Sequence, residues 1–170
     1  YTKFKDLITK IVSNKINIII GTQLISKGHN FPNLKTVIIL NIDNLLNDCN
    51  FRSFEKTYQQ ITQVSGRAGR KNLIGEVFIQ TLQPEHPVIK LCKEQDSKKF
   101  INWELKSRSK NSQPPFKSYI SLILISKIEN ILKKSSKTIS DKIKKEFQEL
   151  SIYGPAPALL YKKNSEYRYR

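Results

Sequence analysis

The chain has 170 residues, a length that allows one domain, or one partial domain and one small one. Hydrophobic residues make up 38% of it, which is enough to bury a core, so a disordered chain is not the default expectation. The formal net charge of +16 predicts a polyanionic partner such as nucleic acid, although a general Lys-rich composition explains the charge equally well.

The cysteines and histidines show no metal-binding pattern. Cys49 and Cys92 lie far apart, and together with His29 and His86 they form no known ligand spacing, so we expect free thiols in a reducing compartment and no metal site in this chain. No signal peptide or membrane-length apolar run is visible. The expectation is a cytoplasmic protein without a membrane partner.

The first part of the chain predicts alternating helices and strands. Helical periodicity covers residues 1–13, 51–65 and 84–111, and short apolar runs predict strands at 16–20, 36–41 and 75–81. This order is typical of an α/β fold with a largely parallel sheet.

The second part begins near Gln113-Pro114-Pro115-Phe116, because two consecutive prolines cannot continue a helix. Beyond it the pattern predicts a helix over 129–150 and strands at 119–126, at 151–153 and at the chain end, 167–170. We therefore expect two domains, 1–112 and 113–170, the second being a small α+β domain that is apparently truncated.

The sharpest chemical pattern is the string from Gln63 to Arg70, which reads Q-V-S-G-R-A-G-R. Arg67 and Arg70 each follow a glycine at a predicted helix end, and Gly66 and Gly69 allow the backbone to approach a ligand closely. Two guanidinium groups three residues apart suit one phosphate group. The alternative is a helix C-cap whose basic side chains face the dipole.

A second pattern follows the predicted strand at 16–20. Its polar loop contains the sequence G-T-Q-L-I-S-K-G, in which the candidate phosphate-binding residues are Gly21, Thr22, Gln23, Lys27 and Gly28. Backbone amides and one ammonium group in such a loop can bind a phosphate. A plain surface loop is the alternative.

The two strings resemble motifs VI and V of superfamily 2 helicases. This resemblance implies that Arg70 is an arginine finger at the γ-phosphate of ATP, that Arg67 is a second γ-phosphate contact, and that Gln63 is a polar contact in the same cleft between two RecA-like lobes. It also implies that the Gly21–Gly28 loop couples the DNA backbone to the nucleotide.

Further segments resemble the PriA family of replication-restart helicases (primosomal protein N′) over nearly the whole chain. Asp43 corresponds to an acidic residue that follows a strand in that family. The other matching segments are Asn50-Phe51-Arg52-x-x-Glu55, Gln80-Thr81 with Pro84-Glu85-His86-Pro87, Pro114-Pro115-Phe116, Gly154-Pro155-Ala156-Pro157-Ala158 and Tyr167-Arg168-Tyr169-Arg170. Asn50 and Lys56 depart from the family's Asp and Arg, which puts ion pairing there in doubt.

The resemblance implies the C-terminal part of an ATP-dependent 3′→5′ DNA helicase that acts at stalled forks in replication restart and primosome assembly. The fold would be part of the second RecA-like lobe followed by the family's C-terminal domain. ATP and Mg²⁺ would be bound with the absent first lobe, and the family's zinc cysteines are also absent, so the fragment alone is expected to be inactive. The implied partners are forked and single-stranded DNA, single-stranded DNA-binding protein and other primosome proteins, at the bacterial nucleoid.

Two alternatives remain open. A RecG-like superfamily 2 translocase would share motifs V and VI but lack the proline-rich segments of the second domain. A non-catalytic basic DNA-binding module would have no role for Arg70. Weaker candidates for DNA contacts are Lys162, Lys163, Arg168 and Arg170, whereas the Lys-rich helix near residues 133–145 is better explained as a solvated face.

Overall fold

The computed structural model describes residues 2–22, 31, 33–48, 50–69 and 74–170. These residues form two compact units, Tyr1–Lys117 and Ser118–Arg170. The division lies a few residues beyond the proline pair at which the sequence predicts a boundary. Which domain each unit represents stays a prediction.

The first unit contains a short parallel sheet and five helices among its described residues. The helices are α1 (Thr2–Val12), α2 (Asp43–Leu46), α3 (Ser53–Ser65), α4 (Pro87–Glu94) and α5 (Ser97–Lys110). The strands β1 (Thr36–Ile39) and β2 (Glu76–Ile79) pair in parallel, with Val37 opposite Val77 and Ile39 opposite Ile79. This arrangement confirms the expected α/β class and the parallel pairing. The detailed arrangement of a RecA-like lobe remains an expectation.

The core of this unit lies between one face of the sheet and helices α3 to α5. Val37 and Ile39 point into it from β1, and α3 contributes Thr57, Tyr58 and Ile61, which recur on one face of a helix. The Tyr58 ring stacks on Phe100 of α5 with 3.9 Å between ring centroids. The same packing holds the C-terminal end of α3 beside the sheet.

The predicted strand at 16–20 is wrong. These residues form no strand, and Ile18 and Ile20 are 79% and 91% exposed. A strand requires a neighbouring strand for its backbone N–H and C=O groups, and the sheet formed by the described residues of this unit contains only β1 and β2.

The predicted helix at 84–111 is divided into α4 and α5. Gln95 adopts a left-handed conformation with φ of 56°, which ends α4. Asp96 then starts α5, because its carboxylate accepts hydrogen bonds from the Lys98 and Lys99 amides at 3.0 Å.

The second unit is a three-stranded antiparallel sheet with one helix packed against it. Its elements are β3 (Leu124–Ser126), α6 (Glu129–Glu146), β4 (Pro157–Lys163) and β5 (Glu166–Tyr169), with β5 in the centre. Asn164 and Ser165 both have positive φ angles, 51° and 63°, as expected for a two-residue hairpin turn between β4 and β5. This unit confirms an α+β arrangement.

Three predicted limits in the second unit are wrong. The strand predicted over 119–126 forms only at 124–126, the helix predicted over 129–150 ends at Glu146, and 151–153 form no strand. The apolar residues of 119–123 and 151–153 predicted extended chain, but no described strand pairs with them.

Candidate functional site

The candidate phosphate-binding turn begins where α3 ends. The amide of Gly66 still donates to Thr62 O, while the amides of Arg67 and Ala68 donate to Val64 O and Ser65 O at 3.0 and 3.1 Å. These shorter-range hydrogen bonds tighten the last turn of the helix. Gly69 then has a φ of 69°, a conformation that favours glycine, and it redirects the chain.

The turn is held against the sheet at two places. The Gly69 amide donates to Leu34 O at 3.1 Å, just before β1, and Gly75 lies beneath the turn just before β2. A Cβ atom added to Gly75 would stand 2.5 Å from the carbonyl carbon of Ala68 and 2.7 Å from Gly69 Cα. Gly75 therefore has to be glycine for this close approach, a role that the motif string did not indicate.

The predicted catalytic residues are only partly described. Gln63 is exposed on the last turn of α3, and Arg67 is half-buried just beyond it. A cation at this position is stabilised by the negative end of the helix dipole. Arg70 lies outside the described residues, so its position relative to Arg67 stays a prediction.

The predicted motif V loop also lies mostly outside the described residues. Gly21 and Thr22 are exposed and lie in neither a helix nor a strand, and Gln23, Lys27 and Gly28 are outside the described part. Immediately after the loop, Phe31 is buried and its carbonyl accepts from the Leu34 amide at 3.3 Å. Because Leu34 O accepts from Gly69, the chain after motif V contacts the motif VI turn.

Asp43 makes its contacts within the first unit. One carboxylate oxygen accepts from Thr81 Oγ1 at 2.7 Å and the other from the Leu82 amide at 3.0 Å. The hydrogen bond from Thr81, then that from Leu82, lower the pKa of Asp43 below its usual value. These contacts hold the segment after β2 against the start of α2.

The segment between the two motifs has an ion pair that the sequence did not predict. Asn50 Oδ1 accepts from the Arg52 amide at 2.9 Å, close to the start of α3, and so contributes a neutral hydrogen bond instead of an ion pair. Glu55 pairs with Arg108 of α5 at 2.9 Å. No sequence signal identified Arg108, because it lies 53 residues from its partner.

The weaker DNA-binding candidates lie on the β4–β5 hairpin. Lys163 and Arg170 are exposed, and Arg168 is half-buried opposite Ile125 of β3. Lys162 places its ammonium group 4.6 Å from the centre of the Tyr167 ring. Tyr169 is buried, and its ring centre lies 6.1 Å from that of Tyr161, so these two rings pack against each other. A hydrogen bond to Glu129 raises the pKa of Tyr161 to about 12.

The described residues contain no cluster of three His, Cys, Asp or Glu side chains that could hold a metal ion. Cys92 is buried, and burial raises the pKa of its thiol to about 12, which keeps it protonated at neutral pH. Cys49 and His29 are outside the described part. Within that part, no helix has the length and apolar character needed to cross a membrane.

The comparison with known proteins first indicates the class of protein that the chain resembles. Residues 2–72, which include both motifs, match the family described as helicase conserved C-terminal domain. This part of the chain is therefore similar to the C-terminal domain of helicases.

The particular relatives are replication restart proteins. The chain is 36% identical to the replication restart protein PriA of Rickettsia typhi, 37% to that of Bacillus subtilis and 36% to that of Borreliella burgdorferi. These matches cover 96 to 99% of the chain but only 20 to 26% of each relative. The resemblance to the C-terminal part of PriA is confirmed, and its extent beyond residue 72 favours PriA over the RecG-like alternative.

Proposed function

We propose that this chain is the C-terminal part of an ATP-dependent 3′→5′ DNA helicase that acts at stalled forks in replication restart. The supporting observation is the Gly66–Gly69 turn, held by Leu34 and Gly75 at the end of α3, in a chain similar to PriA over 96 to 99% of its length. The first unit would be part of a RecA-like lobe, and the second unit the PriA-type C-terminal domain.

In this proposal the turn directs two arginines toward the γ-phosphate. Arg70 is the arginine finger, Arg67 a second phosphate contact, and Gln63 a polar contact on the same turn of the helix. Guanidinium groups stabilise the charge of a transferring phosphoryl group, and the glycines leave room for its oxygens. Arg67 is half-buried just beyond the C-terminal end of α3, where the negative end of the helix dipole favours a cation.

The residues of this turn fit the phosphates of ATP, whereas the ligands of Mg²⁺ would come from the first lobe. When bound, Mg²⁺ neutralises charge on the phosphates. Zinc belongs to the family and would lie outside this chain. The fragment alone is proposed to be inactive because it contains one wall of the cleft only.

The formal net charge of +16 supports DNA as a partner of the chain. Motif V, from Gly21 to Gly28, would bind the DNA backbone near the nucleotide, and the observed contacts of Asp43 favour a role in holding the neighbouring loop over direct contact with DNA or nucleotide. The hairpin residues Lys162, Lys163, Arg168 and Arg170 would add non-specific phosphate contacts to forked or single-stranded DNA. Single-stranded DNA-binding protein and other primosome proteins are proposed partners at the fork.

The decisive experiment measures DNA-stimulated ATP hydrolysis by the longer protein that contains this chain, with the variants Arg70→Ala and Lys56→Ala. Loss of an arginine finger is expected to lower kcat by about 10³-fold or more, with DNA binding retained. Lys56 is exposed on α3, so its variant controls for loss of one positive charge and is expected to keep full activity.

Two outcomes would contradict the proposal. If the longer protein hydrolyses ATP equally well with Arg70→Ala, the turn is not part of the catalytic cleft. If the longer protein binds forked DNA without any ATP hydrolysis, the chain is a non-catalytic DNA-binding module.

A further inference from the structure

Arg108 of α5 is the centre of a polar cluster in the first unit. Its side chain is only 12% exposed, and its guanidinium donates to Glu104 Oε1 and to Glu55 Oε2, each at 2.9 Å. Its Nη1 group donates to Pro114 O at 3.3 Å. The guanidinium also lies 5.4 Å from the centre of the Phe51 ring. Arg108 therefore binds two carboxylates, one carbonyl and one aromatic ring.

The cluster depends on this one cation. Glu104 has a side chain only 8% exposed, and its second oxygen is buried without a hydrogen-bond partner among the described residues. Burial opposes the charge on Arg108, but hydrogen bonds to Glu55 and Glu104 outweigh it and raise the pKa of the guanidinium. The planar guanidinium has several N–H donors in fixed directions and can make these contacts at once. A lysine ammonium cannot reproduce that arrangement of donors.

The contacts of Arg108 join three parts of the first unit. Phe51 and Glu55 lie at the start of α3, Glu104 lies on α5, and Pro114 lies where the chain leaves this unit. Helix α3 runs from this cluster to Ser65, about 15 Å farther along at 1.5 Å per residue. The turn with Arg67 follows directly, so a shift at the start of the helix moves the arginine at its end.

We propose that Arg108 is a positioning residue for ATP hydrolysis, which it supports by fixing the start of the helix whose other end carries Arg67. The inference rests on the proposed function of the Gly66–Arg70 turn. Arg108 does not touch the nucleotide in this role. It acts by restricting the orientation of α3.

The test is a double-mutant cycle in the longer protein that contains this chain. Arg108→Lys keeps the positive charge and removes the planar set of N–H donors. Glu55→Gln removes the negative charge of one partner, which is partly exposed. Each is combined with Arg67→Ala, and kcat and KM for ATP are measured with saturating single-stranded DNA. Lys99→Met removes an exposed ion pair with Glu94 on the same helix as Arg108 and is the matched control.

Arg108→Lys is expected to lower kcat about tenfold or more with little change in KM, because misplacement of a group that acts in the transition state affects kcat. Glu55→Gln is expected to have a smaller effect in the same direction. In the Arg67→Ala background each change should lower kcat by a smaller factor than in the parent protein, because one of the groups that the helix positions is already gone. The control is expected to match the parent protein.

A merely structural role would give a different pattern. Sites about 15 Å apart normally have independent effects, so losses that multiply in the double variant would overturn the inference. Equal losses for Arg108→Lys and Lys99→Met would also overturn it. If Arg108→Lys does not fold, Glu55→Gln alone decides between the two patterns. If Arg70→Ala leaves ATP hydrolysis unchanged, the proposed function itself fails, which is a distinguishable result.

Discussion

At the scale of single residues, two glycines allow distant segments of the backbone to lie closer together than a side chain would permit. Gly75 lies against the backbone of Ala68 and Gly69, and Gly154 has a φ of 100° beside the last residue of the chain. A side chain at Gly75 would collide with the neighbouring backbone. A side chain at Gly154 would collide with the backbone and would also be strained by the positive φ. The sequence shows that these residues are glycines but does not show which distant backbone each one meets.

Gly154→Ala is expected to destabilise the second unit. The new Cβ would stand 2.9 Å from Arg170 O, which accepts a hydrogen bond from the Ala156 amide just before β4. The strain is about 1–3 kcal/mol. Hydrogen exchange of the Arg170 amide measures it, because that amide donates to Ala156 O at 2.8 Å.

Gly66→Ala is the matched control for this prediction. Its φ of −65° is accessible to any residue, and an added Cβ would meet its nearest neighbour, Thr62 O, at 3.4 Å. Exchange of the Arg170 amide should be unchanged in this variant. Unchanged exchange in Gly154→Ala as well would show that the turn tolerates a side chain.

The arginines show what a local pattern can and cannot reveal. A string of eight consecutive residues indicates Arg67 and Arg70, because a phosphate-binding turn is local. The local sequence does not identify Arg108, because only Glu104 is its neighbour on the same helix, whereas Glu55 lies on another helix 53 residues away. Only tertiary packing brings Glu55 to Arg108.

At the scale of elements, the ends of the helices depend on individual caps. Helix α4 is capped by His86, whose Nδ1 accepts from the Val88 amide at 3.2 Å, and Pro87 is in its first turn. The imidazole also lies 5.2 Å from the Phe54 ring of α3. His86 therefore starts one helix and packs against another.

This cap predicts a pH-dependent stability of the first unit. Burial lowers the pKa of His86 below 6.5, so the unfolded chain takes up a proton first as the pH falls. The stability is full above pH 6.5 and is lost as the pH falls from 6.5 through the lower folded pKa. Urea unfolding followed by Trp103 fluorescence at pH 7.5 and 5.5 measures the loss.

His86→Asn should remove this part of the pH dependence, because asparagine is a good N-cap that does not titrate. The variant should unfold at more similar urea concentrations at the two pH values than the parent chain does. An undiminished difference would mean that other groups cause it.

Strand prediction failed where pairing was missing. The runs at 16–20, 119–123 and 151–153 have the residue types of strands, but no described strand lies beside them. By contrast, β1 and β2 pair with each other although they lie 40 residues apart in the chain. Apolar composition therefore predicted extended chain, whereas pairing decided which parts became strands.

At the scale of the whole molecule, the first unit has an open sheet face. Val37 and Ile39 are buried, while Ile38 and Phe78, which are opposite each other in register, are 63% and 56% exposed. Parallel sheets in stable proteins are normally covered on both faces. The chain spans about a quarter of the length of these relatives, and in a protein of their length we expect additional chain to cover this face.

The open face predicts dye binding by the isolated chain. Replacing Ile38 and Phe78 together by threonine, which keeps strand propensity, should lower the fluorescence of the hydrophobic dye ANS, because the largest apolar groups of the face are removed. Ile101→Thr changes an exposed apolar residue on α5 and is the control. Equal fluorescence from the double variant and the parent chain would place the dye elsewhere.

The sequence was sufficient for the resemblance to PriA, the α/β class of the first unit and the α+β class of the second, because each depends on residue types at short spacing. Tertiary structure decided that 16–20 is no strand, that Gly75 supports the motif VI turn, and that Arg108 binds Glu55. Those features depend on contacts between residues far apart in the chain. Such contacts form only when helices and strands pack, and no local pattern specifies which distant groups will meet.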